Sequence, residues 1–362
     1  MIIHLIAAAR PNFMKIAPLY HALKEKDWAH PLLVHTGQHY DLNMSDAFFT
    51  DLRLPPPDIH LGVGSGTHAE QTGQVMIAYE KAALEKQPDL IVVVGDVNST
   101  VAVSLVAAKL LIPLAHLEAG LRSFDRTMPE EINRLVTDTL ADLLWTPSPD
   151  GDAHLLREGV SQEKIERVGN IMIDSLEMLR EPIEADAYHK ELNLEPGNYG
   201  LVTLHRPANV DPPDTLKSLC EALINVSRRF PLVFPVHPRT RNNLEKNNLM
   251  ATLQAESKLL MMPPLNYIRF MNLVFHAGLV ITDSGGLQEE TTYLGIPCLT
   301  LRPNTERPIT IEKGTNKLCK IEALETAVTS AMSGATEKRH PPELWDGKTA
   351  ERIVQSIKHR FG

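Results

Sequence analysis

Cysteine is scarce in this sequence of 362 residues, and its three copies show no spacing typical of a metal site: Cys220, Cys298 and Cys319. Few, scattered cysteines are typical of reduced, structural thiols, so we expect a cytoplasmic protein without a metal ion. The sequence also lacks a Walker phosphate loop and a serine nucleophile elbow. These absences argue against P-loop enzymes and serine hydrolases.

Positive charge is in short supply as well, since 36 Lys and Arg stand against 45 Asp and Glu and the net charge is -9. This balance disfavours non-specific nucleic-acid binding, although a few local cations can still hold an anionic ligand. Long apolar runs are missing too, because the most apolar region, residues 90–117, is interrupted by Asp96, Lys109 and Pro113. We expect no membrane span, and we interpret the apolar N-terminus as a first strand rather than a signal peptide.

The chain does have enough apolar sequence for two domains, with 43% hydrophobic and 22% charged residues. Continuously apolar runs such as IIHLIAA and DLIVVVGD alternate with helical patterns, which is typical of parallel sheets covered on both faces. The pattern restarts after a break near residues 168–180. We predict two Rossmann-like, doubly wound α/β domains facing a cleft: residues 1–170 plus 350–362, and residues 171–349.

The stretch TDSGGLQEE, residues 282–290, follows a predicted strand, where such sheets bind ligands. Gly285 and Gly286 allow close backbone approach, and Ser284 with the free N–H groups of a helix start forms an anion site. Glu289 and Glu290 either complement the helix dipole or accept from the hydroxyls of a ribose. The stretch favours a nucleotide diphosphate.

Basic residues at other strand ends are candidate phosphate ligands. RPNTERP carries Arg302 and Arg307, HRPAN carries His205, and ARPNFMK puts Arg10 and Lys15 at the start of a helix. Each has a structural alternative: a salt-bridged surface loop, a packed histidine or a solvated lysine.

Carboxylates form a third group in the first domain. Asp96 ends one strand, Glu118 ends the next, and Glu130 and Glu131 open the helix PEEINRLV. The two helix residues suit capping, whereas Asp96 and Glu118 have no helix to cap. Carboxylates crowded in a dry cleft have pKa values pushed apart, which provides an acid and a base. For His116 we expect packing against the sheet.

Seven stretches in this order resemble those of the non-hydrolysing UDP-N-acetylglucosamine 2-epimerases: ARPNFMK, GQHYD, GDVNST, HLEAGLRSFDRTMPEEINR, TLHRPANVD, TDSGGLQEE and TERPITIEKGTN. The resemblance covers almost the whole chain. It implies a glycosyltransferase-B type fold whose C-terminal helix, about residues 349–361, returns to the first domain. It also implies a homodimer that needs no cofactor and converts UDP-GlcNAc reversibly to UDP-ManNAc. The implied route eliminates UDP to give a 2-acetamidoglucal and then adds UDP back.

The resemblance also implies residue roles. The catalytic carboxylates match Asp96, Glu118 and Glu130, and the active-site cations match Arg10 and Lys15, with Arg134 close by. The UDP-binding residues match His205, Ser284, Gly285, Gly286, Glu290 and Arg307, and Phe270 matches the position beside the uracil. We count His205 among the catalytic residues, and which carboxylate serves which face of C2 stays open.

Three departures from the family pattern bear on these roles. Ala8 and Ala9 replace a common Gly-Thr pair, and Ala208 replaces a Glu, which removes one polar contact near His205. The segment between Glu118 and Glu130 is short, as in the related UDP-2,3-diacetamido-glucuronate 2-epimerases. The sugar is therefore open.

A fourth departure concerns the second, allosteric UDP-GlcNAc site of many bacterial members. Gln38 and Gln71 remain, but acidic Asp41 and Glu70 stand where uncharged or basic groups are usual. Because carboxylates repel a diphosphate, we expect weak or absent activation.

Four alternatives to the UDP-GlcNAc epimerase remain. They are 2-epimerisation of UDP-2,3-diacetamido-2,3-dideoxyglucuronate, a glycosyltransferase of the same fold, a hydrolysing epimerase, and a catalytically inactive sugar-nucleotide sensor. The three carboxylates argue against the transferase and the sensor.

Overall fold

The structure is a computed structural model that describes residues 1–37, 49–333 and 340–362. The chain forms two compact units: unit 1 comprises Met1–Leu179 and Glu343–Gly362, and unit 2 comprises Arg180–Pro342. Residues 171–179 and 343–349, which the sequence analysis assigned to the second domain, lie in unit 1. The reason is packing, because the helix Ile171–Met178 contacts the helix Arg10–Lys24.

Unit 1 contains a parallel sheet of seven strands. They are β1 (Ile2–Ala7), β2 (His30–His35), β3 (Ile59–His60), β4 (Leu90–Val94), β5 (Leu114–Leu117), β6 (Leu143–Thr146) and β7 (Ile165–Arg167). Their order is β3-β2-β1-β4-β5-β6-β7. All five residues of β4 are buried, which explains its unbroken apolar sequence.

The helices of unit 1 before the crossing into unit 2 are α1 (Arg10–Lys24), α2 (His68–Lys86), α3 (Asn98–Leu110), α4 (Pro129–Leu140), α5 (Pro149–Arg157) and α6 (Ile171–Met178). A short 3-10 turn, Gln162–Lys164, precedes β7. One hydrophobic core lies between the sheet and α2 and α3, and includes Ile91, Val93, Val103 and Tyr79.

Unit 2 repeats the architecture with six parallel strands: β8 (Gly200–Thr203), β9 (Leu232–Pro235), β10 (Leu259–Met262), β11 (Leu279–Thr282), β12 (Cys298–Thr300) and β13 (Asn316–Leu318). Their order is β10-β9-β8-β11-β12-β13. Its core includes Val202, Phe234, Ile281 and Leu299. All three cysteines are buried in this unit as free thiols.

The helices of unit 2 are α7 (Arg180–Asp186), α8 (Tyr188–Glu191), α9 (Pro207–Val210), α10 (Pro213–Arg229), α11 (Pro238–Lys246), α12 (Met250–Gln254), α13 (Tyr267–His276), α14 (Gly285–Leu294), α15 (Ile309–Glu312) and α16 (Leu324–Ser333), with a 3-10 turn at Ile321–Ala323. The last helix, α17 (Thr349–Phe361), belongs to unit 1 and packs against α1 and α6. The predicted C-terminal helix is therefore present with the predicted bounds.

Both sheets reverse their strand order next to their first strand, between β1 and β4 in unit 1 and between β8 and β11 in unit 2. The prediction of two doubly wound α/β units is confirmed. In such sheets the crevice for a ligand opens at this reversal, beyond the carboxyl ends of the strands. The segments after β4, β5, β8 and β11 are those that carry the predicted site residues.

Candidate active site

The unit 1 part of the site centres on an ion pair between Lys15 and Glu118. Lys15 lies on α1, and its Nζ contacts Oε2 of Glu118, the first residue after β5. The Glu118 side chain is 4% exposed, and its Oε1 has no hydrogen-bond partner among the described residues. This oxygen is available to accept a hydrogen bond from a ligand, which keeps Glu118 a candidate functional residue.

The backbone of Glu118 is also unusual, because its φ angle is +72°. Non-glycine residues rarely adopt this left-handed conformation outside turns and helix ends, and strained examples cluster at functional sites. The strained turn aims the side chain at Lys15 rather than along the strand.

Gly95 forms the wall beside this ion pair. Its φ angle is +68°, and a Cβ at this position would lie 3.4 Å from Lys15 Nζ and 3.6 Å from Glu118 Oε2. The positive φ angle, rather than the space, favours glycine here, because a Cβ at these distances would make ordinary contacts. Asp96 is the next residue, so the turn after β4 brings the Asp96 backbone beside the pair.

Arg134 on α4 links Asp96 to the same region. Its Nη1 lies 3.3 Å from Asp96 Oδ2, and its Nε lies 3.3 Å from Glu131 Oε2. The Arg134 side chain is buried, whereas that of Asp96 is 37% exposed. Asn133 adds a bond from its Nδ2 to the Asp96 carbonyl, 2.9 Å long. Asp96 is thus positioned by α4 and remains open to a ligand.

The two glutamates at the start of α4 have different surroundings. Glu131 is buried, and its carboxylate accepts hydrogen bonds from the N–H groups of Ser123 and Phe124 and from the Ser123 hydroxyl. Glu131 therefore organises the loop before α4, in line with its structural interpretation. Glu130 is exposed at the same helix start. The contacts of the described residues do not tie Glu130 to Asp96 or Glu118, so its catalytic role remains a prediction.

Two further predicted positions have limited descriptions. Arg10 is the first residue of α1, which fixes its backbone after β1, but its side chain lies outside what the structure describes. Gln38 and Asp41 also lie outside the described residues. Glu70 is the N3 residue of a capping box at the start of α2, where its Oε2 accepts from the Thr67 N–H at 3.0 Å. The acidic Glu70 therefore has a local structural function.

In unit 2, Asp283 organises the loop that carries His205. The Asp283 carboxylate is fully buried and accepts from the N–H groups of His205 and Arg206 and from Asn209 Nδ2. His205 Nδ1 lies 3.2 Å from Asp283 Oδ1. Burial lowers the pKa of His205, and the charge of Asp283 opposes that shift. The sequence analysis missed Asp283, although its place directly after β11 was visible.

The start of α14 has the form of an anion site. Ser284 is the N-cap residue, and its side chain makes no capping hydrogen bond. A Cβ on Gly285 would lie 2.7 Å from Arg307 Nη1 and 2.8 Å from Glu306 Oε1, so glycine is needed for the Arg307 side chain to approach the helix start. A Cβ on Gly286 would meet no atom of the described chain within 4 Å. Helix N–H groups and a guanidinium together suit a phosphate.

Arg307 is itself fixed by carboxylates. Its Nη1 lies 2.5 Å from Glu306 Oε1 and its Nε lies 3.0 Å from Glu289 Oε2. Glu306 also binds Arg302 at 2.8 Å. Burial works against ionisation of Glu306, but the charges of Arg307 and Arg302 hold its pKa well below the usual range. Glu289 and Arg302 thus serve to orient Arg307.

Glu290 is the second buried carboxylate of α14, and Tyr267 on α13 donates its hydroxyl to Glu290 Oε1 at 2.7 Å. Burial raises the pKa of Glu290 to about 7; the Tyr267 hydrogen bond opposes this shift and the charge of Glu289 adds to it. Phe270, half-buried, lies on α13 one turn after Tyr267. Tyr267 was another residue missed from the sequence.

The predicted residues therefore fall into two groups. Arg10, Lys15, Asp96, Glu118, Glu130 and Arg134 lie in unit 1, and His205, Phe270, Ser284, Gly285, Gly286, Glu290 and Arg307 lie in unit 2. The described part of the chain contains no group of His, Cys, Asp or Glu side chains arranged for a metal ion. Its helices include none long and apolar enough to cross a membrane.

Two doubly wound sheets in one chain, each with ligand-type motifs beyond its strands, define the two-domain fold of the glycosyltransferase-B type. A family profile described as UDP-N-acetylglucosamine 2-epimerase matches residues 21–358. The UDP-N-acetylglucosamine 2-epimerase of Methanocaldococcus jannaschii is 40% identical over 99% of each chain. The chain belongs to the UDP-N-acetylglucosamine 2-epimerase family.

Two other comparisons bear on the substrate. The crystal structure of the M. jannaschii enzyme in complex with UDP-GlcNAc and UDP has a TM-score of 0.90 and 41% identity, and the match covers 99% of this chain and 100% of that one. The UDP-2,3-diacetamido-2,3-dideoxy-D-glucuronate 2-epimerase of Pseudomonas aeruginosa is 40% identical over 97% of this chain and 98% of its own. Overall sequence identity therefore does not decide which of the two UDP-sugars is the substrate.

Proposed function

We propose that the protein interconverts UDP-GlcNAc and UDP-ManNAc by inverting C2, without net hydrolysis. The observation that carries the proposal is the buried Lys15–Glu118 pair beside the Gly95–Asp96 turn, in a chain of this family. One carboxylate takes the C2 proton, the C1–O bond breaks, and UDP leaves with the bonding electrons. The product of this half-reaction is a 2-acetamidoglucal. UDP then adds back to C1 while a proton returns to the other face of C2.

The C2 proton is weakly acidic, so the base must be held in a fixed position close to it. Glu118 suits this task because Lys15 and its own backbone fix it. Asp96 is the second candidate acid or base, and Arg134 holds it. We propose Glu130 as a third, exposed group. Two faces of one carbon need more than one proton-transfer group.

We propose that the departing diphosphate binds at Ser284, Gly285 and Gly286, with Arg307, His205 and Arg10 compensating its charge. Arg307 supports this assignment because it lies against Gly285 at the start of α14. Glu290 is placed to accept from ribose hydroxyls through the carboxylate that Tyr267 orients, and we assign Phe270 to the neighbourhood of the uracil. Stabilising developing charge on a leaving group is a main catalytic contribution of such sites.

The second candidate substrate is UDP-2,3-diacetamido-2,3-dideoxyglucuronate, which the P. aeruginosa relative favours. Incubation with each UDP-sugar, followed by chromatography, separates the alternatives. We expect UDP-ManNAc from UDP-GlcNAc. Release of free ManNAc and UDP would indicate the hydrolysing reaction, and turnover of the diacetamido sugar alone would replace the proposed substrate.

Asp96→Asn tests the chemistry more directly. It should abolish turnover while UDP still binds, because the proposed UDP site lies in unit 2. Asp89→Asn is the matched control, since Asp89 precedes β4 and its carboxylate accepts from the Ile2 N–H at the opposite end of the strand.

We propose in addition a cytoplasmic homodimer, with weak or absent allosteric activation by UDP-GlcNAc.

A further inference from the structure

A buried chain of charged residues lies behind the Glu118 turn. His116 on β5 is fully buried, with its Nδ1 at 2.5 Å from Asp138 Oδ1 and its Nε2 at 2.9 Å from the Gly95 carbonyl oxygen. Asp138 Oδ2 accepts from the Gly120 N–H at 3.1 Å and from Arg122 Nη1 at 2.7 Å. Arg122 is in turn bound by both oxygens of Glu158, at 2.9 and 2.7 Å.

The hydrogen-bond partners determine the protonation of His116. A carbonyl oxygen can only accept, so Nε2 carries a proton that it donates to Gly95. An ionised Asp138 can also only accept, so Nδ1 carries a proton as well. The pKa of Asp138 supports its ionisation: burial raises it, but the charges of His116 and Arg122 and their hydrogen bonds lower it further, below its usual value.

The charges of this cluster balance. The charged groups around His116 are Asp138 from α4, Arg122 from the loop after β5 and, beyond Arg122, Glu158 next to the end of α5. Two positive and two negative groups therefore form the cluster, with His116, Asp138 and Arg122 buried and Glu158 reaching the surface. A buried ion pair persists when its remaining hydrogen-bonding groups are also satisfied, as they are here for Asp138.

Asp138 binds one residue on each side of Glu118 in the sequence. His116 precedes Glu118 by two residues and Gly120 follows it by two, and they bind different oxygens of the one carboxylate. Through His116 the same carboxylate also fixes the Gly95 carbonyl, directly before Asp96. Gly95, Glu118 and Gly120 all have positive φ angles, of +68°, +72° and +79°. The two glycines adopt this conformation without strain, whereas Glu118 needs support from surrounding contacts to hold it.

We propose that Asp138 is a positioning residue which keeps His116 as an imidazolium and thereby fixes the two turns that carry Asp96 and Glu118. The inference rests on the proposed function for its effect on turnover, but its protonation state can be measured without substrate. Neither residue needs to touch the sugar nucleotide. Asp138 and His116 act by fixing the positions of the Asp96 and Glu118 carboxylates.

The first test is a nitrogen NMR spectrum of the full-length protein labelled on its histidine rings. At about pH 8 we expect a histidine with both ring nitrogens protonated, because each ring nitrogen of His116 faces a group that only accepts hydrogen bonds. His116→Gln should remove that signal. Its absence from the wild-type spectrum, or its persistence in His116→Gln, would overturn the inference whatever the enzyme activity.

The second test is Asp138→Asn, which keeps the shape of the side chain and removes its charge. We expect kcat to fall by roughly 10- to 100-fold, as for a misplacement of about 1 Å, with KM and UDP affinity little changed. The imidazolium signal should disappear as well. A purely structural contribution would lower the amount of folded protein and leave kcat per folded molecule intact.

Asp142→Asn is the matched control. The Asp142 carboxylate accepts from the Leu114 N–H, 3.1 Å away, at the other end of β5. We expect wild-type kcat for this variant, and an equal kcat for Asp138→Asn would overturn the positioning role. A wild-type protein that has the imidazolium but turns over neither UDP-sugar would overturn the proposed function and still support the charged pair.

Discussion

At the scale of single residues, the site depends on backbone conformations that most residues avoid. Glu118 adopts the left-handed region at φ +72°, which costs an ordinary residue about 1–2 kcal/mol. Gly95 adopts a similar conformation at no such cost and leaves room for the Lys15–Glu118 pair. Glycine at residue 95 therefore lets the turn before Asp96 form without backbone strain.

Gly95→Ala should reduce turnover strongly with little change in UDP affinity. Its Cβ would stay in ordinary contact with Lys15 and Glu118, but the positive φ would cost about 1–2 kcal/mol of stability and disturb the turn that carries Asp96. Gly159→Ala is the control, because Gly159 has φ +88° with no described atom within 4 Å of a Cβ. Steady-state kinetics of both variants test this account. An equal loss of activity in Gly95→Ala and Gly159→Ala would contradict it.

Glu290→Gln tests the buried carboxylate through the pH dependence of stability. The pKa of Glu290 is about 7 in the folded protein against a model-compound value of 4.5. Between these values the folded state binds more protons, so this group lowers stability as pH rises from about 4.5 to 7. Glu290→Gln should therefore raise the free energy of unfolding at pH 8, by on the order of 3 kcal/mol at most, and with it the melting temperature, and have little effect near pH 4.5.

Thermal unfolding at both pH values checks this prediction, with UDP affinity measured in parallel. Affinity should fall although stability rises, since the proposed ribose acceptor is lost. A variant that is equally stabilised at both pH values, or destabilised at pH 8, would show that Glu290 is not a carboxylate with a raised pKa.

The sequence predicted where the candidate residues lie along the fold better than it predicted the contacts that hold them, and their roles stay predictions. The motif residues that follow β4, β5, β8 and β11 lie at the carboxyl ends of these parallel strands, as predicted. Asp138 lies 22 residues from His116, and Asp283 lies 78 residues from His205. No local pattern links such pairs, because only the packed sheet brings them together. The αL backbone of Glu118 had no signal in the sequence either, since glutamate rarely adopts it.

At the scale of secondary structure, the first turn of α4 carries two glutamates with different surroundings, and the catalytic role of Glu130 stays a prediction. Glu131 binds two backbone N–H groups of the preceding loop, whereas Glu130 is exposed. The sequence PEE could not distinguish them, because both suit a helix N-terminus equally well. In the folded protein the N–H groups of Ser123 and Phe124 donate to Glu131, so Glu131 is the structural one of the two.

Glu131→Gln should therefore lower stability by about 1–3 kcal/mol, because a buried hydrogen-bonded charge is lost. Glu130→Gln should change stability by less than about 0.5 kcal/mol, as expected for an exposed residue, and reduce turnover if its proposed role is correct. Chemical denaturation and kinetics on both variants give the comparison. A loss of stability in Glu130→Gln with normal turnover would reverse the two assignments.

At the scale of the whole molecule, the chain builds two parallel sheets and returns its last helix to the first unit. The helix α17 was predicted. The chain leaves unit 1 after residue 179 and returns to it at residue 343, whereas the sequence placed these two points at residues 170 and 350. Residues 171–179 and 343–349 carry no compositional break that would have shown the difference. Their membership follows from packing of α6 on α1. The cleft between the two domains stays a prediction from the sequence pattern.

Ile353→Ala tests the role of α17 in unit 1. Ile353 is fully buried, and removing its side chain should cost about 2–5 kcal/mol. Hydrogen exchange of the full chain should accelerate in unit 1 and not in unit 2. Ile281→Ala, in the fully buried β11 of unit 2, is the reciprocal control. Equal acceleration in both units for either variant would contradict the division into two compact units.

The central claim is abstraction of the proton at C2, and the most direct measurement is proton NMR of the purified protein with UDP-GlcNAc in D2O. We predict new UDP-ManNAc signals, with deuterium entering C2 of both sugars as equilibrium is approached. UDP-ManNAc that forms with its C2 proton retained, or UDP-GlcNAc that stays unchanged while UDP binds, would contradict the account.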